Sequence, residues 1–269
     1  MRRSGPPSAV CRLPQALAPL AALVLAVAGC PSTPAGDSEP LVVFAAASLQ
    51  DVLPATQPEP ARLRFNFAGT QQLRTQLENG AYADVFASAD RRHMEALSRQ
   101  GLVEAPELFA CNRLVVVVPA TNPAQINGLG DLVKARRLVL AAPEVPAGRY
   151  AEEAIDCAAR LFGPGFPAEV RKRIVSRELN VRQALGKVAL GEADAAIVYR
   201  TDAQAAKDAV RAFALSTECD VLSEYPIAVV AASRHKDRAR AFIAGLSSAK
   251  GRAALEAAGF TRCDEATAR

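Results

Sequence analysis

The sequence predicts an α/β protein with mostly parallel sheets. Short apolar runs that suit buried strands alternate with segments of helical periodicity along most of the chain. The clearest apolar runs are residues 41–44 (LVVF), 113–119 (RLVVVVP) and 195–199 (AAIVY). Because ligands bind beyond the carboxyl ends of strands in folds of this class, a site is expected at the strand-to-helix junctions.

The first thirty residues have the composition of an export signal. Arginines precede an apolar segment, 17–28, that is too short to cross a membrane. Small residues then lead into Cys30, a pattern that resembles the lipobox of bacterial lipoproteins, in which the cysteine is lipidated. We expect residues 1–29 to be a lipoprotein signal peptide and the polar residues 30–40 to be a tether; the alternative is an ordinary signal peptide with an incidental cysteine.

The charge and cysteine content narrow the function classes. Removing residues 1–29 removes three arginines and no acidic residue, so the formal net charge falls from +4 to +1, which gives no reason to expect nucleic-acid binding. About 230 residues remain, enough for one large domain or two small ones. The chain has only two histidines and no CxxC pair, so it lacks the ligand pattern typical of a zinc site. An exported chain usually pairs its cysteines, and the sequence leaves open all three connectivities of Cys111, Cys157, Cys219 and Cys263.

Two hydroxyl residues follow the first two predicted strands. Ser48 comes after residues 41–44 and three alanines, where a helix N-cap is expected. Thr70 follows the alternating strand 62–67 in the same way and precedes a helix. A strand that runs into a capped helix aims free backbone N–H groups at one point, where the helix dipole favours negative charge. These junctions therefore predict a binding site for a small anion.

The middle of the chain continues the alternation of strands and helices. Asp90 is expected to cap a helix that carries His93 on its solvated face. A short helix at 129–135 and a strand at 138–142 lead to Ala147, which lies among small residues at the start of a helix and forms a third junction.

The last third of the chain supplies a fourth junction. Asn180 caps a helix that begins at Val181 and leads to the strand 195–199, which ends at Tyr199. Two further strands are expected at 211–215 and 225–232, and Pro226 suggests a sheet edge or a strand start for the second. Two helices, near 236–246 and 250–258, close the chain.

Hydroxyl groups and backbone amides at these junctions suit a fully ionised tetrahedral oxyanion. Each hydrogen bond to a charged group contributes about 1.5–3 kcal/mol net, so several converging donors could offset the desolvation of a dianion. Phosphate mostly carries a proton at neutral pH and would need an acceptor such as Asp, which no junction provides. Oxyanions without a proton are therefore favoured over phosphate.

Five segments, FAAASL, ADVFASAD, PEVPAGRYAEEAI, NVRQAL and AAIVYRTDA, occur in this order. Together they resemble the periplasmic molybdate-binding proteins of ABC importers over residues 41–260. The resemblance implies a type II periplasmic-binding-protein fold, with two lobes that each contain a mostly parallel sheet flanked by helices. Lobe 1 would comprise residues 41–112 and 220–269, and lobe 2 residues 113–219.

The resemblance also implies the ligand and the residues that hold it. Molybdate or tungstate would be bound between the lobes by the hydroxyls of Ser48 and Thr70, the backbone amides of Ala147 and Val181, and the Tyr199 hydroxyl. It implies no catalysis and no cofactor, and delivery of the ligand by a monomer to a membrane permease. We expect the protein at the periplasmic face of a membrane, anchored through Cys30, or else soluble in the periplasm.

Departures from the family pattern and two other functions need testing. Thr70 replaces the usual Ser, residues 53–62 are short enough to truncate the first helix, and Arg200, expected at the cleft rim or in solvent, replaces a common Gly. A binding protein for sulfate or another tetrahedral oxyanion is the first alternative. An exported serine hydrolase using Ser48 is a distant one, because no base is expected beside it and no G-x-S-x-G motif is present.

Overall fold

The computed structural model describes residues 39–57 and 59–266. The predicted signal peptide, the lipidation of Cys30 and nearly all of the tether lie outside these residues. The described chain contains nine strands: β1 (Leu41–Ala46), β2 (Leu63–Ala68), β3 (Val85–Ala87), β4 (Glu107–Pro119), β5 (Leu138–Ala141), β6 (Ile174–Glu178), β7 (Ala195–Tyr199), β8 (Val210–Ala214) and β9 (Leu222–Val229).

Helices connect most of these strands. In chain order they are α1 (Val52–Ala55), α2 (Thr70–Glu78), α3 (Arg91–Arg99), α4 (Pro146–Cys157), α5 (Ala159–Phe162), α6 (Phe166–Arg171), α7 (Val181–Ala189), α8 (Arg200–Ala205), α9 (Lys236–Ser247), α10 (Ala249–Ala257) and α11 (Cys263–Ala266). The first helix has only four residues, as its shortened segment predicted. The expected helix near 129–135 is a 3-10 turn, Leu129–Lys134. No helix in the described part of the chain is long and apolar enough to span a membrane.

The strands pair in the order β2-β1-β3-β9-β4-β7-β5-β6, and β8 also pairs with β4. β1 runs parallel to β2 and β3, and β5 runs parallel to β6 and β7. The pairings made by β4 and β9 are antiparallel. The predicted α/β class is confirmed, with parallel strands at the two ends of this order and antiparallel strands joining them.

Strand β4 is shared by two groups of strands. Its residues 107–113 pair with β9, and its residues 114–119 pair with β7 and β8. We call β1, β2, β3 and β9, with the helices between them, the first strand group, and β5 to β8, with theirs, the second strand group. The chain crosses from the first to the second within β4 and returns between β8 and β9.

Two disulfides settle the connectivity that the sequence left open. Cys111 pairs with Cys263, which ties β4 to α11, and Cys157 pairs with Cys219, which ties α4 to the segment before β9. Both bridges therefore lie beside the places where the chain crosses between the strand groups.

Pro226 does not mark an edge or the start of a strand, so that prediction is wrong. It lies inside β9, between β3 and β4, and faces Leu108, where the register of β4 shifts before Ala110. Proline has no N–H to donate, and a bulge in the neighbouring strand is a place where a sheet accommodates this lack. The Pro226 carbonyl still accepts a hydrogen bond from the Ser88 amide.

Candidate functional site

A small cavity, partly open to solvent, lies beyond the carboxyl ends of several strands. All five residues predicted for the site line it: Ser48, Thr70, Ala147, Val181 and Tyr199. The rest of its lining is formed by Ala46, Ala47, Ala68, Gly69, Ala89, Val145, Pro146 and Asn180. The structure thus brings together residues that are up to about 150 positions apart in the chain, from both strand groups.

Ser48 does not cap a helix, so that part of the prediction is wrong. It lies within a tight 3-10 turn, Ala47–Leu49, whose N-cap position is Ala46. Instead of a backbone N–H, its hydroxyl contacts the Tyr225 hydroxyl, with 2.9 Å between the oxygens. Both side chains are buried, Ser48 at 3% exposure and Tyr225 at 0%.

Thr70 does not cap α2 either, so that prediction is wrong: it is the first residue of the helix, and Gly69 occupies the N-cap position. The Thr70 hydroxyl accepts a hydrogen bond from the Ala89 amide at 3.2 Å, so its own proton remains available to another group. A Cβ atom on Gly69 would lie 2.3 Å from the Leu179 carbonyl oxygen. Only glycine therefore permits this close approach of the two strand groups at the cavity.

Ala147 and Val181 present backbone amides at the starts of two helices. Ala147 is the second residue of α4 and Val181 the first of α7, and N–H groups at these positions have no partner within the helix. Asn180 caps α7 as predicted, because its side chain accepts from the Gln183 amide at 3.0 Å. A Cβ atom on Gly148 would lie 2.1 Å from the Ala142 carbonyl oxygen, so glycine allows α4 to start directly against the end of β5.

Tyr199 ends β7 with only 1% of its surface exposed. Burial raises its pKa, so the hydroxyl keeps its proton at neutral pH. Ser223 Oγ lies 3.5 Å from Tyr199 Oη and donates toward it, besides donating to the Ala89 carbonyl at 2.9 Å, so the Tyr199 hydroxyl acts as an acceptor in this contact. The Tyr199 proton is therefore available to a group in the cavity.

A buried ion pair lies behind Tyr199. Asp202 is fully buried, accepts a hydrogen bond from the Tyr199 amide at 3.3 Å and pairs with Arg182. Burial raises the pKa of Asp202 to about 6, although the nearby Arg182 opposes the rise. Sequence reasoning missed this pair, because neither residue belongs to a local motif.

Side-chain contacts around the cavity also join the two strand groups. The Gln71 amide nitrogen donates to the Leu179 carbonyl, and His93 contacts the Glu144 carbonyl through Nε2. These two contacts measure 2.8 and 3.0 Å. Two ion pairs also join the strand groups: Asp51 with Arg182 at 2.5 Å, and Asp90 with Arg149 at 3.3 Å.

Two side chains lie elsewhere than predicted. His93 is buried rather than solvated, because a loop of the second strand group covers the face of α3 that carries it. Arg200 lies neither at the cavity rim nor in open solvent, since its guanidinium donates to the Gly259 carbonyl and ties α8 to the segment after α10. Asp90 caps α3 as predicted.

The polar side chains at the cavity are all neutral, and the rest of the lining is small or apolar. None of the residues that line it is charged. In the described part of the chain, no group of three His, Cys, Asp or Glu side chains could hold a metal ion. The arrangement can surround a small anion with neutral donors, and it places no general base beside Ser48, whose hydroxyl faces Tyr225.

Comparison with known proteins agrees with this architecture. The chain is 35% identical over 243 residues to the molybdate-binding protein ModA of Mycobacterium tuberculosis, covering 87% of this chain and 89% of that protein. It is 31% identical over 259 residues to the putative ABC transporter substrate-binding lipoprotein YvgL of Bacillus subtilis, covering 91% and 96%. The periplasmic molybdate-binding protein of Azotobacter vinelandii superposes with a TM-score of 0.72 at 22% identity, covering 82% of this chain and 99% of that one.

These likenesses show that the fold is the two-lobed periplasmic-binding-protein fold. The relatives are substrate-binding proteins rather than enzymes, so the serine hydrolase hypothesis has no support. Residues 41–261 match the profile of the bacterial extracellular solute-binding proteins, nearly the whole described chain. The chain therefore belongs to this family.

Proposed function

We propose that this protein captures molybdate or tungstate and delivers it to the permease of an ABC importer. The main support for this proposal is the lining of the cavity. It contains hydroxyls and the backbone amides of two helix N-termini, and it contains no charged side chain. Such a lining favours an oxyanion that needs only donors. The name of the M. tuberculosis relative, a molybdate-binding protein, supports the choice of ligand.

Each of the five predicted residues has a role in this proposal. Ser48 and Thr70 donate through their hydroxyls, Ala147 and Val181 through their amides, and Tyr199 through its hydroxyl. The free protons of Thr70 and Tyr199, and the unpaired helix-start amides, support these roles.

We assign residues 41–112 and 220–269 to lobe 1 and residues 113–219 to lobe 2. The crossing within β4, where pairing passes from β9 to β7 and β8, supports the first boundary. The crossing between β8 and β9 supports the second. A ligand bound to both lobes stabilises the closed arrangement, because it contacts both sets of donors only when the lobes meet.

Sulfate is the second candidate, because it too carries no proton at neutral pH and would use the same donors. Phosphate is disfavoured because no carboxylate lines the cavity to accept its proton. The ligands can be separated by thermal unfolding of residues 31–269 with molybdate, tungstate, sulfate or phosphate. A ligand that binds only the folded state raises the unfolding midpoint, and a tenfold difference in Kd at high ligand concentration corresponds to about 1.4 kcal/mol.

We expect large shifts with molybdate and tungstate and none with phosphate. A comparable shift with sulfate would move the function to tetrahedral oxyanions in general. The absence of a shift with every ligand would refute the proposal.

We further propose that Cys30 is lipidated and holds a monomer at the periplasmic face of a membrane. The small residues before Cys30 support this, as does the name of the B. subtilis relative, a lipoprotein. Cys30→Ala should move the protein from the membrane fraction to the soluble fraction. A wild-type protein that is already soluble would refute the anchor and leave oxyanion binding unaffected.

A further inference from the structure

The first strand group holds the start of each amide-bearing helix of the second group at two places. The first place is the backbone carbonyl just before the helix N-cap. Leu179 precedes the N-cap residue of α7, and its carbonyl accepts from the Gln71 side chain at 2.8 Å. Glu144 precedes the N-cap residue of α4, and its carbonyl contacts His93 Nε2 at 3.0 Å. The same backbone position is therefore held in α4 and α7.

The second place is an arginine near the start of each helix. Arg182 is the second residue of α7 and pairs with Asp51 at 2.5 Å. Arg149 is the fourth residue of α4 and pairs with Asp90 at 3.3 Å. Both aspartates occupy the N-cap position of a helix in the first strand group, α1 and α3. We call Asp51–Arg182 with Gln71–Leu179 the α7 clamp, and Asp90–Arg149 with His93–Glu144 the α4 clamp.

Both arginines also have an acidic partner within the second strand group. Arg182 pairs with the buried Asp202, and Arg149 pairs with Glu153, one turn further along α4. Separation of the strand groups therefore leaves neither arginine unpaired, which avoids the penalty of an isolated, partly buried charge. The clamps can thus form and break as the lobes close and open.

The two aspartates reach the other strand group in different ways. An aspartate at an N-cap position commonly accepts from an amide of its own helix. Asp90 does so through Oδ1, which accepts from the His93 amide, while its Oδ2 faces Arg149. Asp51 makes no such bond to α1, and its Oδ2 pairs with Arg182 instead. Neither ion pair is therefore needed to cap a helix.

We propose that Asp51 and Asp90 are positioning residues for oxyanion binding. Through the two clamps they hold the amide-bearing starts of α7 and α4 over the ligand and slow its release. This inference rests on the proposed function. Because the clamps join the two strand groups, they stabilise only the arrangement in which the groups meet around the ligand. An interaction that is present only in that arrangement slows opening, so it lowers the dissociation rate and leaves the association rate unchanged.

Asp51→Ala tests the α7 clamp. Release of radiolabelled molybdate from the protein into excess unlabelled molybdate gives the dissociation rate, and calorimetry gives Kd, so the two together give the association rate. We expect release to become roughly threefold faster, as for the loss of a partly exposed ion pair, and association to stay unchanged. The loss of a negative charge would by itself favour an anion, so faster release cannot come from the change of charge.

Asp156→Ala is the matched control. Asp156 is also exposed and also shares its arginine, Arg171, with a less exposed acid, Glu152, but all three lie within the second strand group. The variant makes the same change of net charge and should release molybdate at the wild-type rate. Release from Asp51→Ala at the rate of Asp156→Ala would overturn the inference. A purely structural role of Asp51 would instead lower the unfolding midpoint without ligand and leave the release rate unchanged.

Asp90→Asn tests the α4 clamp and keeps an oxygen to cap α3. The asparagine NH₂ group would then face Arg149, and two donors cannot bond to each other. Because Asp90 is buried, we expect release to become roughly tenfold faster. The variant that combines both changes should release molybdate roughly thirtyfold faster, because the two clamps lie on separate helices and their effects multiply.

The outcomes separate this inference from the proposed function. If the wild type binds no oxyanion, both are refuted. If the wild type binds molybdate and both aspartate variants release it at the wild-type rate, this inference alone is refuted. Faster release from both single variants, with an unchanged association rate, supports the two clamps.

Discussion

The two sides of the cavity present their donors in different ways. The first strand group supplies side-chain hydroxyls, from Ser48 in a tight turn and Thr70 at the start of α2. The second supplies backbone amides at the starts of α4 and α7, together with the Tyr199 hydroxyl. A hydroxyl rotates about its C–O bond, whereas a helix-start amide has a fixed direction.

The groups behind these donors differ accordingly. On the first side, neutral buried groups orient the hydroxyls: Tyr225 contacts Ser48, and the Ala89 amide donates to Thr70. On the second side, close packing at Gly148 and the ion pair of Arg182 with Asp202 hold the backbone. A rotatable hydroxyl needs a hydrogen-bonded partner to orient it, and a backbone amide needs packing to hold it. Mutations on the two sides should therefore weaken ligand binding for different reasons.

The largest effect is expected from Gly148→Val, on the side that depends on packing. The new side chain would meet the Ala142 carbonyl, so α4 would have to move away from β5 and take the Ala147 amide with it. We expect the free energy of unfolding, measured in urea, to fall by about 3 kcal/mol and oxyanion binding to become unmeasurable. Gly186→Ala, where a Cβ meets nothing within 4 Å, is the control and should change stability by less than about 1 kcal/mol. Similar results for both variants would show that packing does not hold this side.

The ion pair behind Tyr199 predicts a pH dependence confined to the second side. Burial raises the pKa of Asp202 to about 6, whereas aspartate in an unfolded chain titrates near 3.9. The folded state therefore binds this proton more tightly. The contribution of Asp202 to the free energy of unfolding falls as the pH rises from about 4 to about 6 and is constant above that, a loss of about 3 kcal/mol.

Asp202→Asn removes this dependence and keeps an acceptor for the Tyr199 amide. The difference in free energy of unfolding between variant and wild type, measured in urea, should grow in favour of the variant from pH 4 to pH 6 and then level off. Asp51→Asn, whose side chain is 54% exposed and shares Arg182, is the control and should show little slope. If the difference in free energy of unfolding between Asp202→Asn and the wild type does not change with pH, Arg182 fully compensates the effect of burial on the pKa of Asp202.

On the first side, Ser48→Ala should impair binding without impairing the fold. The variant removes one donor to a charged ligand, so we expect molybdate affinity to fall by about 1.5–3 kcal/mol, roughly 10- to 150-fold. Without ligand, the midpoint of thermal unfolding should fall modestly, because alanine fits the space that serine occupies but the buried Tyr225 hydroxyl loses its contact with Ser48. Calorimetry gives the affinity, and an unchanged Kd would exclude Ser48 from the site.

Local chemistry made much of the fold predictable. Apolar runs indicated β1, β4, β5 and β7, and these strands are buried as predicted. The caps of α3 and α7 followed from single side chains, Asp90 and Asn180. The five predicted residues meet at one cavity because each lies where a strand gives way to a helix or turn, and the carboxyl ends of parallel strands share an edge. Their role as ligands stays a prediction.

The errors came from contacts between distant parts of the chain. His93 was assigned to solvent from the polar face of its own helix, but a loop of the second strand group covers that face. Tyr225 has no local motif, and its contact with Ser48 spans 177 residues. Pro226 is tolerated inside the sheet only because a neighbouring strand bulges. Sequence periodicity describes one element at a time and contains no information on such neighbours.

The smallest effect we predict tests a backbone donor directly. Val181 is the first residue of α7, and proline is well tolerated at this position, after an extended residue such as Asn180. Val181→Pro removes one N–H from the second side, while Val181→Ala keeps the N–H and loses a similar amount of packing. We expect Val181→Pro to bind molybdate roughly tenfold more weakly than Val181→Ala, because the neighbouring amide and the helix dipole persist. Equal affinities of the two variants would show that this amide does not contact the ligand, and the second side would then bind through Ala147 and Tyr199 alone.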